Sequence, residues 1–442
     1  MPVGETELHN KTTINAEGHS PAGELVILGT VFLDMVAISL ITPVFPKLIM
    51  SISGYGVAEV AGIFASFTAV FGITQFIGAP ILGAASDHFG RRPVIVFSNI
   101  VSGLQFALMA LAPNLAWLFI GRVISGFATA SMPAANAWVA DVVPPHRRAA
   151  RFALVSAAMS LGFFIGPGIG GFLGSSDPRA PFWAAAVLCL LNGAFGYFVL
   201  RESLPLAARV AFRLKHSIPI GSMIHLVRNN RILLSMFPVS IFYFFAQYAM
   251  ITVGVLYTTE RYGWDSDKNG LMFMAVGGCN MFVQLVLLKP LINLLGQRRS
   301  LMLGIACQMI ALCIYGLAFR EELFWIGIPI WSFGSLVLPI WNSLLTQSVN
   351  PTEQGKLSGV TSSLMSLMSI LAPFIYAGVF ASSITRSANP ALAGAPFFLA
   401  AASQLAGIVT VWSITRAGSP LAATLSHPFQ RKPAPATSEA AD

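Results

Sequence analysis

Apolar residues along this chain fall in long unbroken runs, with neither the alternation of a strand nor the stripe of a soluble helix. Six runs, Leu25–Met50, Val60–Ala84, Pro93–Ala112, Leu115–Ala140, Phe152–Leu173 and Phe182–Leu200, precede a polar stretch. Six more follow it: Ile232–Tyr257, Gly270–Leu295, Leu301–Phe319, Leu323–Leu345, Leu357–Phe380 and Pro396–Ile414. Each can cross ~30 Å of hydrocarbon at ~1.5 Å per residue. Backbone groups in lipid must be satisfied within their own segment, so runs of this length are predicted to be helices. The expected fold is an all-α membrane protein of twelve transmembrane helices. Its expected parts are a tail (1–24), a six-helix half (25–200), a central loop (201–231), a second six-helix half (232–414) and a disordered tail (415–442).

Composition agrees with that pattern. Charged residues make up 10% of the chain and hydrophobic ones 55%, with a mean hydropathy of +0.72. A soluble domain carries about 25% charged residues. Too little charge remains to coat a globular surface, which excludes a soluble enzyme, a nucleic-acid-binding domain and a disordered chain. The net charge of +8 is concentrated in particular loops and implies no nucleic-acid partner. With the N-terminus placed in the cytoplasm, eighteen of the 26 Lys and Arg fall on the cytoplasmic face and six on the other, with Arg122 and Lys289 inside spans. That bias predicts a multi-pass protein with both termini inside. Residues 1–23 are polar and the first apolar run is too long for a cleaved leader, so no signal peptide is expected. The stretch Arg201–Arg231 sets six basic residues against Glu202. It suits a linker, and Ile218–Val227 suits an amphipathic helix on anionic membrane lipid. Cys189, Cys279, Cys307 and Cys313 lie within apolar runs and show no metal-ligand spacing. They are expected to be packing residues, with neither metal nor cofactor.

The two halves repeat. Gly90 and Gly296, Pro133 and Pro339, Asn136 and Asn342, Pro145 and Pro351, and Pro167 and Pro373 are all offset by 206 residues. Chance rarely aligns five such residues at one shift. An even number of spans separates equivalents, so the halves run in parallel, an arrangement that places a substrate site between them near mid-membrane.

Ionisable residues within spans are functional candidates because burying them is costly. Asp34 lies about ten residues into the first span, or ~15 Å deep. Arg122 lies about seven residues into the fourth, and Asp141 closes that span. Burial favours the neutral form of a carboxyl group and a nearby cation the charged form, so Asp34 can cycle between them as a cavity opens to either side. A static Asp34–Arg122 pair that only fixes packing is the alternative. Gln105, Asn136, Asn280, Gln284, Gln308 and Asn342 are candidates for a substrate cavity; Asn136 and Asn342 stand out because each follows a repeat-equivalent proline, which frees backbone carbonyls. No nucleophile–base pattern, phosphate-binding loop or metal cluster is found, so no enzymatic activity is expected. The segment Gly162–Gly171 lies inside an apolar run and suits close packing and bending.

The loop Gly83-Ala-Ala-Ser-Asp87-His-Phe-Gly90-Arg91-Arg92 resembles the signature of the major facilitator superfamily between its second and third helices. The likeness covers essentially all of the membrane-spanning chain. It implies a gating role for Asp87, Gly90, Arg91 and Arg92, with Asp141 as partner; the second-half copy, Asn293–Arg299, lacks the Asp. Gly162, Gly166, Pro167, Gly170 and Gly171 resemble the fifth-helix motif of drug/proton antiporters, as do Leu33-Asp34 with Pro43, and Gly121-Arg122. Within that group the chain is most similar to tetracycline/proton antiporters, through Arg261-Tyr-Gly-Trp264, Glu353–Leu357 and Leu367–Pro373. That pattern has an Asp in the third and ninth helices and a His in the eighth; here these places hold Gln105, Gln308 and Asn280. Asp34 is left as the obvious coupling carboxylate, and groups that would meet a tetracycline–metal complex are missing.

The expected function is secondary active transport: proton-coupled efflux of amphipathic organic compounds by a monomer, with Asp34 and Arg122 in the coupling. Two alternatives are an uncoupled facilitator or importer of a small metabolite, and a non-transporting membrane sensor on the same fold. The sensor would need an attached signalling domain, for which the tail Arg416–Asp442 is short and rich in Pro and Ala.

Overall fold

The computed structural model describes residues 21–128, 131–210, 231–347, 349, 354–385 and 390–415. Most of both tails, and the expected interfacial helix Ile218–Val227, lie outside the described residues. The first half contains α1 (Pro21–Leu40), α2 (Phe45–Ser53), α3 (Val57–Phe89), α4 (Arg91–Ala110), α5 (Leu115–Ala128), α6 (Ser131–Val142), α7 (Pro145–Ser176) and α8 (Ala180–Val199). The second contains α9 (Arg231–Tyr262), α10 (Ser266–Phe282), α11 (Leu288–Leu317), α12 (Glu321–Ser332), α13 (Val337–Gln347), α14 (Gln354–Thr385) and α15 (Ala395–Ile414). No strand occurs among the described residues. Among the described residues eleven helical stretches are long and apolar enough to cross a membrane, and one of them, Ser266–Leu317, contains two of the expected spans.

That long stretch reverses at Gly296, where φ is 77° and ψ 165°. Gly90, between α3 and α4, has φ 108° and ψ 163°. Side chains rarely tolerate this positive-φ region, so the glycine that recurs at the 206-residue offset is required by a tight reversal in each half. The first expected span is not one helix. α1 stops at Leu40 and α2 restarts at Phe45, because Pro43 and Pro46 lack the N–H groups that would bond Ser39 O and Thr42 O in a continuous helix. A turn bridges the break, with Thr42 N–H donating to Ser39 O (3.2 Å) and Phe45 N–H to Ile41 O (2.9 Å). The tenth span is likewise interrupted, by a 3₁₀ turn at Phe333–Leu336 ahead of Pro339.

Small residues set how closely the helices approach. A Cβ on Gly170 would fall 1.9 Å from Leu40 O, and one on Gly162 2.7 Å from Phe32 O. Gly162, Gly166 and Gly170 are four residues apart, so they share a face of α7 and seat it on α1. Gly171 lies one residue round the helix. Its Cβ would meet Ser266 O at 2.4 Å and Gly270 Cα at 2.8 Å, so α7 also touches α10 of the second half backbone to backbone. The other extended contact between halves is α3 on α14, where a Cβ on Gly72 would lie 2.3 Å from Ser369 Oγ.

Without a hydrophobic drive inside lipid, this dispersion contact is what holds the helices together. The Gly170→Val variant is therefore expected to lose about 3 kcal/mol of stability, since the obstructing atom is backbone and cannot step aside. Gly29→Ala meets nothing within 4 Å and should leave stability unchanged. Thermal unfolding of the two variants in detergent, beside the parent, checks both outcomes.

Candidate functional site

A central cavity of about 220 Å³ is lined by Asp34, Gln75, Gln105 and Arg122, with the rings of Phe45, Phe71 and Tyr248. Asp34 is held on α1, six residues before the helix ends, and is 5% exposed. Asn192, from α8, donates its Nδ2 to Asp34 Oδ1 at 2.8 Å and to Thr30 O at 3.0 Å. Arg122 lies across the cavity. Its guanidinium carbon sits 4.4 Å from the Phe45 ring centre and 5.4 Å from that of Phe71, and its Nε has no hydrogen-bond partner. The break at Pro43 is what brings Phe45 under the guanidinium. A cation placed on aromatic faces away from water keeps its charge available to an arriving carboxylate or to a dipole.

A second cavity lies wholly in the second half, lined by Tyr243, Gln247, Asn280, Gln284, Gln308, Trp331 and Asn342. Three amides and a phenol form a directional chain there. Gln404 Nε2 donates to Gln308 Oε1 (2.7 Å), Gln308 Nε2 to Gln247 Oε1 (2.7 Å), and Gln247 Nε2 to Tyr243 Oη (3.0 Å). Gly334 lets the chain fit, since a Cβ there would strike Gln308 Cδ at 2.9 Å. Of the six polar cavity candidates, Gln105 lines the first cavity; Asn280, Gln284, Gln308 and Asn342 line the second; Asn136 lines neither.

Asp87, Gly90, Arg91, Arg92 and Asp141 gather at the end of the bundle where α3 passes into α4. Arg91 Nη1 bonds Asp87 Oδ1 and Ser86 Oγ, and its Nε donates to Asp141 Oδ2 at 3.0 Å. Glu202 joins from beyond α8, accepting the Arg91 backbone N–H at 2.9 Å on Oε1. A Cβ on Gly90 would collide with Glu202 Oε2 at 2.1 Å, so that position needs glycine on two counts. Arg92 Nη2 donates to Tyr197 O, and the guanidinium lies over the Tyr197 ring. These partners belong to the first half, apart from Glu202 in the connection that follows α8.

The halves are joined at the opposite end. Lys47 Nζ lies 2.7 Å from Asp265 Oδ1 and donates to Gly174 O and Ser175 O at 3.3 and 3.4 Å. Burial pushes the Asp265 carboxyl up, but the Lys47 ammonium and the Ser266 N–H outweigh it and hold the group below the usual carboxylate range. Asp265 also caps α10, at the end where Gly171 meets Gly270.

The sequence profile of the Major Facilitator Superfamily matches residues 27–373. The chain belongs to this superfamily. It is 31% identical over 362 residues to the class C tetracycline resistance protein of Escherichia coli, covering 81% of this chain and 90% of that one. Identity to the class E protein of Escherichia coli is 30% over 361 residues, with 81% and 88% covered. The crystal structure of the human organic anion transporter MFSD10 superposes with a TM-score of 0.65 at 23% identity, covering 89% of this chain and all of that one, which supports the fold. As a member of the superfamily the protein is a multi-pass secondary transporter of small molecules.

Sequence reasoning about this superfamily member missed Asn192, Thr30 and Asn99, as well as Gln404 and the Lys47–Asp265 bridge. A lone amide in an apolar span does signal a buried partner, but the partner's identity depends on helix rotation, which periodicity within a uniformly apolar run does not show. Because Asp265 is half exposed, its ion pair is worth at most about 1 kcal/mol. Asp265→Asn should accordingly raise thiol labelling of Met50→Cys, beside Lys47, by up to about fivefold from that side. A depressed carboxyl favours the bridged state above its ordinary value near about 4 and loses that contribution as pH falls through the depressed one. Relative to a freely accessible thiol at the same pH, labelling of Met50→Cys with the bridge intact should thus be flat from neutral pH to about 4 and rise only below it.

Proposed function

We propose that this transporter is a proton-coupled exporter of amphipathic organic compounds, working as a monomer in a bacterial inner membrane with both termini in the cytoplasm. The observation that carries the reading is the central cavity, where buried Asp34 and ring-stacked Arg122 face one space large enough for part of an organic molecule. Relatives named for tetracycline resistance support export as the direction. Asp34 in its charged state favours the cargo, and protonation releases it. One proton moving down 100 mV yields ~2.3 kcal/mol, enough for a roughly fifty-fold gradient of a neutral solute.

Gating follows from the two ends. The Lys47–Asp265 bridge and the Gly171–Gly270 contact close one side, while the Arg91 cluster stores its charges within the first half until the other side closes. The fork of Arg91 reaches Asp87, Ser86 and Asp141 at once, which a lysine cannot do. Arg91→Lys is expected to lower the transport rate about tenfold with folding intact, measured as initial flux against membrane-inserted protein.

Substrate-evoked proton movement in everted vesicles tests coupling directly. With a panel of cationic, neutral and tetracycline-like compounds, the parent should release protons and Asp34→Asn should not. An unchanged signal in Asp34→Asn would remove Asp34 from coupling. No signal with any compound from correctly inserted protein would favour an uncoupled facilitator.

A further inference from the structure

Beside Asp34, three buried polar side chains that do not line the central cavity come together from three helices. Thr30 on α1, Asn99 on α4 and Asn192 on α8 are 1%, 2% and 1% exposed. Asn192 Nδ2 ties them together, reaching Asp34 Oδ1 (2.8 Å), Thr30 O (3.0 Å) and Asn99 Oδ1 (3.4 Å). Yet Thr30 Oγ1, Asn99 Nδ2 and Asn192 Oδ1 have no partner among the described residues. None of the three residues lines the central cavity.

Leaving three such atoms unsatisfied in a low-dielectric interior is expensive, because each has given up its hydrogen bonds to water without replacement. An occupant that satisfies them must both donate, to Asn192 Oδ1, and accept, from Asn99 Nδ2. A bare cation cannot accept, and an anion is opposed by the adjacent Asp34. Water does both, and buried water typically makes about three hydrogen bonds.

We propose that Thr30, Asn99 and Asn192 form a buried water site beside Asp34, and that Asn192 is the positioning residue which, with this water, keeps the carboxylate hydrogen-bonded by residues that do not line the cavity. The arrangement lets Asp34 present one side to the substrate cavity while its orientation is fixed by these neighbours. Other titratable groups around α1 are otherwise engaged or distant. Arg151 on α7 is bound to Glu24 and Asp141 on α6 to Arg91, whereas Cys189 on α8 and Arg122 on α5 line the same cavity as Asp34. The proposal depends on Asp34 being the coupling group only for its use in transport, not for its existence.

Dicyclohexylcarbodiimide consumes protonated carboxyl groups, so its rate of addition to Asp34 reports how firmly the ionised form is held, with no cargo needed. The full chain in lipid vesicles at pH 8 is labelled and the Asp34 peptide quantified by mass spectrometry. Asn192→Leu should speed labelling about tenfold, and Thr30→Val, which removes only the hydroxyl, about threefold, each by loss of a hydrogen bond to the charged side. Exchanging sodium for choline should change nothing. Unaltered labelling in Thr30→Val, with a raised melting temperature, would overturn the water site by showing the hydroxyl to be merely unpaired. A sodium-dependent slowing would overturn it in favour of a cation site. If labelling responds as expected while Asp34→Asn still moves protons, the coupling role of Asp34 falls and the water site stands.

Discussion

Hydrocarbon offers no bulk water to complete a hydrogen bond or screen a charge, so each polar group in the membrane needs a partner in the protein, a cavity or a trapped water. The rest of this structure depends on that constraint. It makes the apolar runs helical, and it allows the backbone to break at Pro43 and at Phe333–Leu336 where the freed groups can be met by turn hydrogen bonds or a cavity. It also explains why intramembrane polar residues occur as connected sets, as in Gln404–Gln308–Gln247–Tyr243 and Asp34–Asn192–Asn99.

The two halves share a backbone plan and differ in chemistry. Gly90 and Gly296 make the same reversal, and Pro167 and Pro373 sit inside equivalent long helices, α7 and α14. The polar contents diverge. Asp34 and Arg122, both from the first half, face the central cavity, while the second-half cavity is walled by amides, a phenol and an indole. Asn136 and Asn342 show the divergence at one repeat position, since Asn342 lines a cavity and Asn136 does not. A duplicated scaffold in which one half keeps the charge suits the division of labour proposed for it, with coupling in the first half and a neutral, hydrogen-bonding surface in the second.

Closure is unequal as well. At one end Gly171 and Gly270 bring two backbones together and Lys47 spans from the end of α7 to the cap of α10. At the other, Arg91 is bound by Asp87 and Asp141 of its own half. The contacts that hold the first end are dispersion between small residues plus one exposed ion pair, each individually weak, which suits a joint that must open. The glycines at 162, 166 and 170 have another duty, fixing α7 against α1 and thereby Asp34 against its neighbours.

Much of this was legible in the chain alone. Run length fixed the helices, because ~20 apolar residues have few alternatives in a bilayer. The 206-residue offset revealed the repeat, and the rarity of charge within spans singled out Asp34 and Arg122. The loop from Gly83 to Arg92 identified the superfamily, since reversal and charge clustering are both local properties. Tertiary structure alone decided who meets whom: that Arg122 rests on Phe45 and Phe71, that Asn192 bonds Asp34, and that Lys47 reaches Asp265 across 218 positions. A helix that is apolar all round carries no stripe to show which way it faces, and its rotation is set by packing against neighbours distant in sequence.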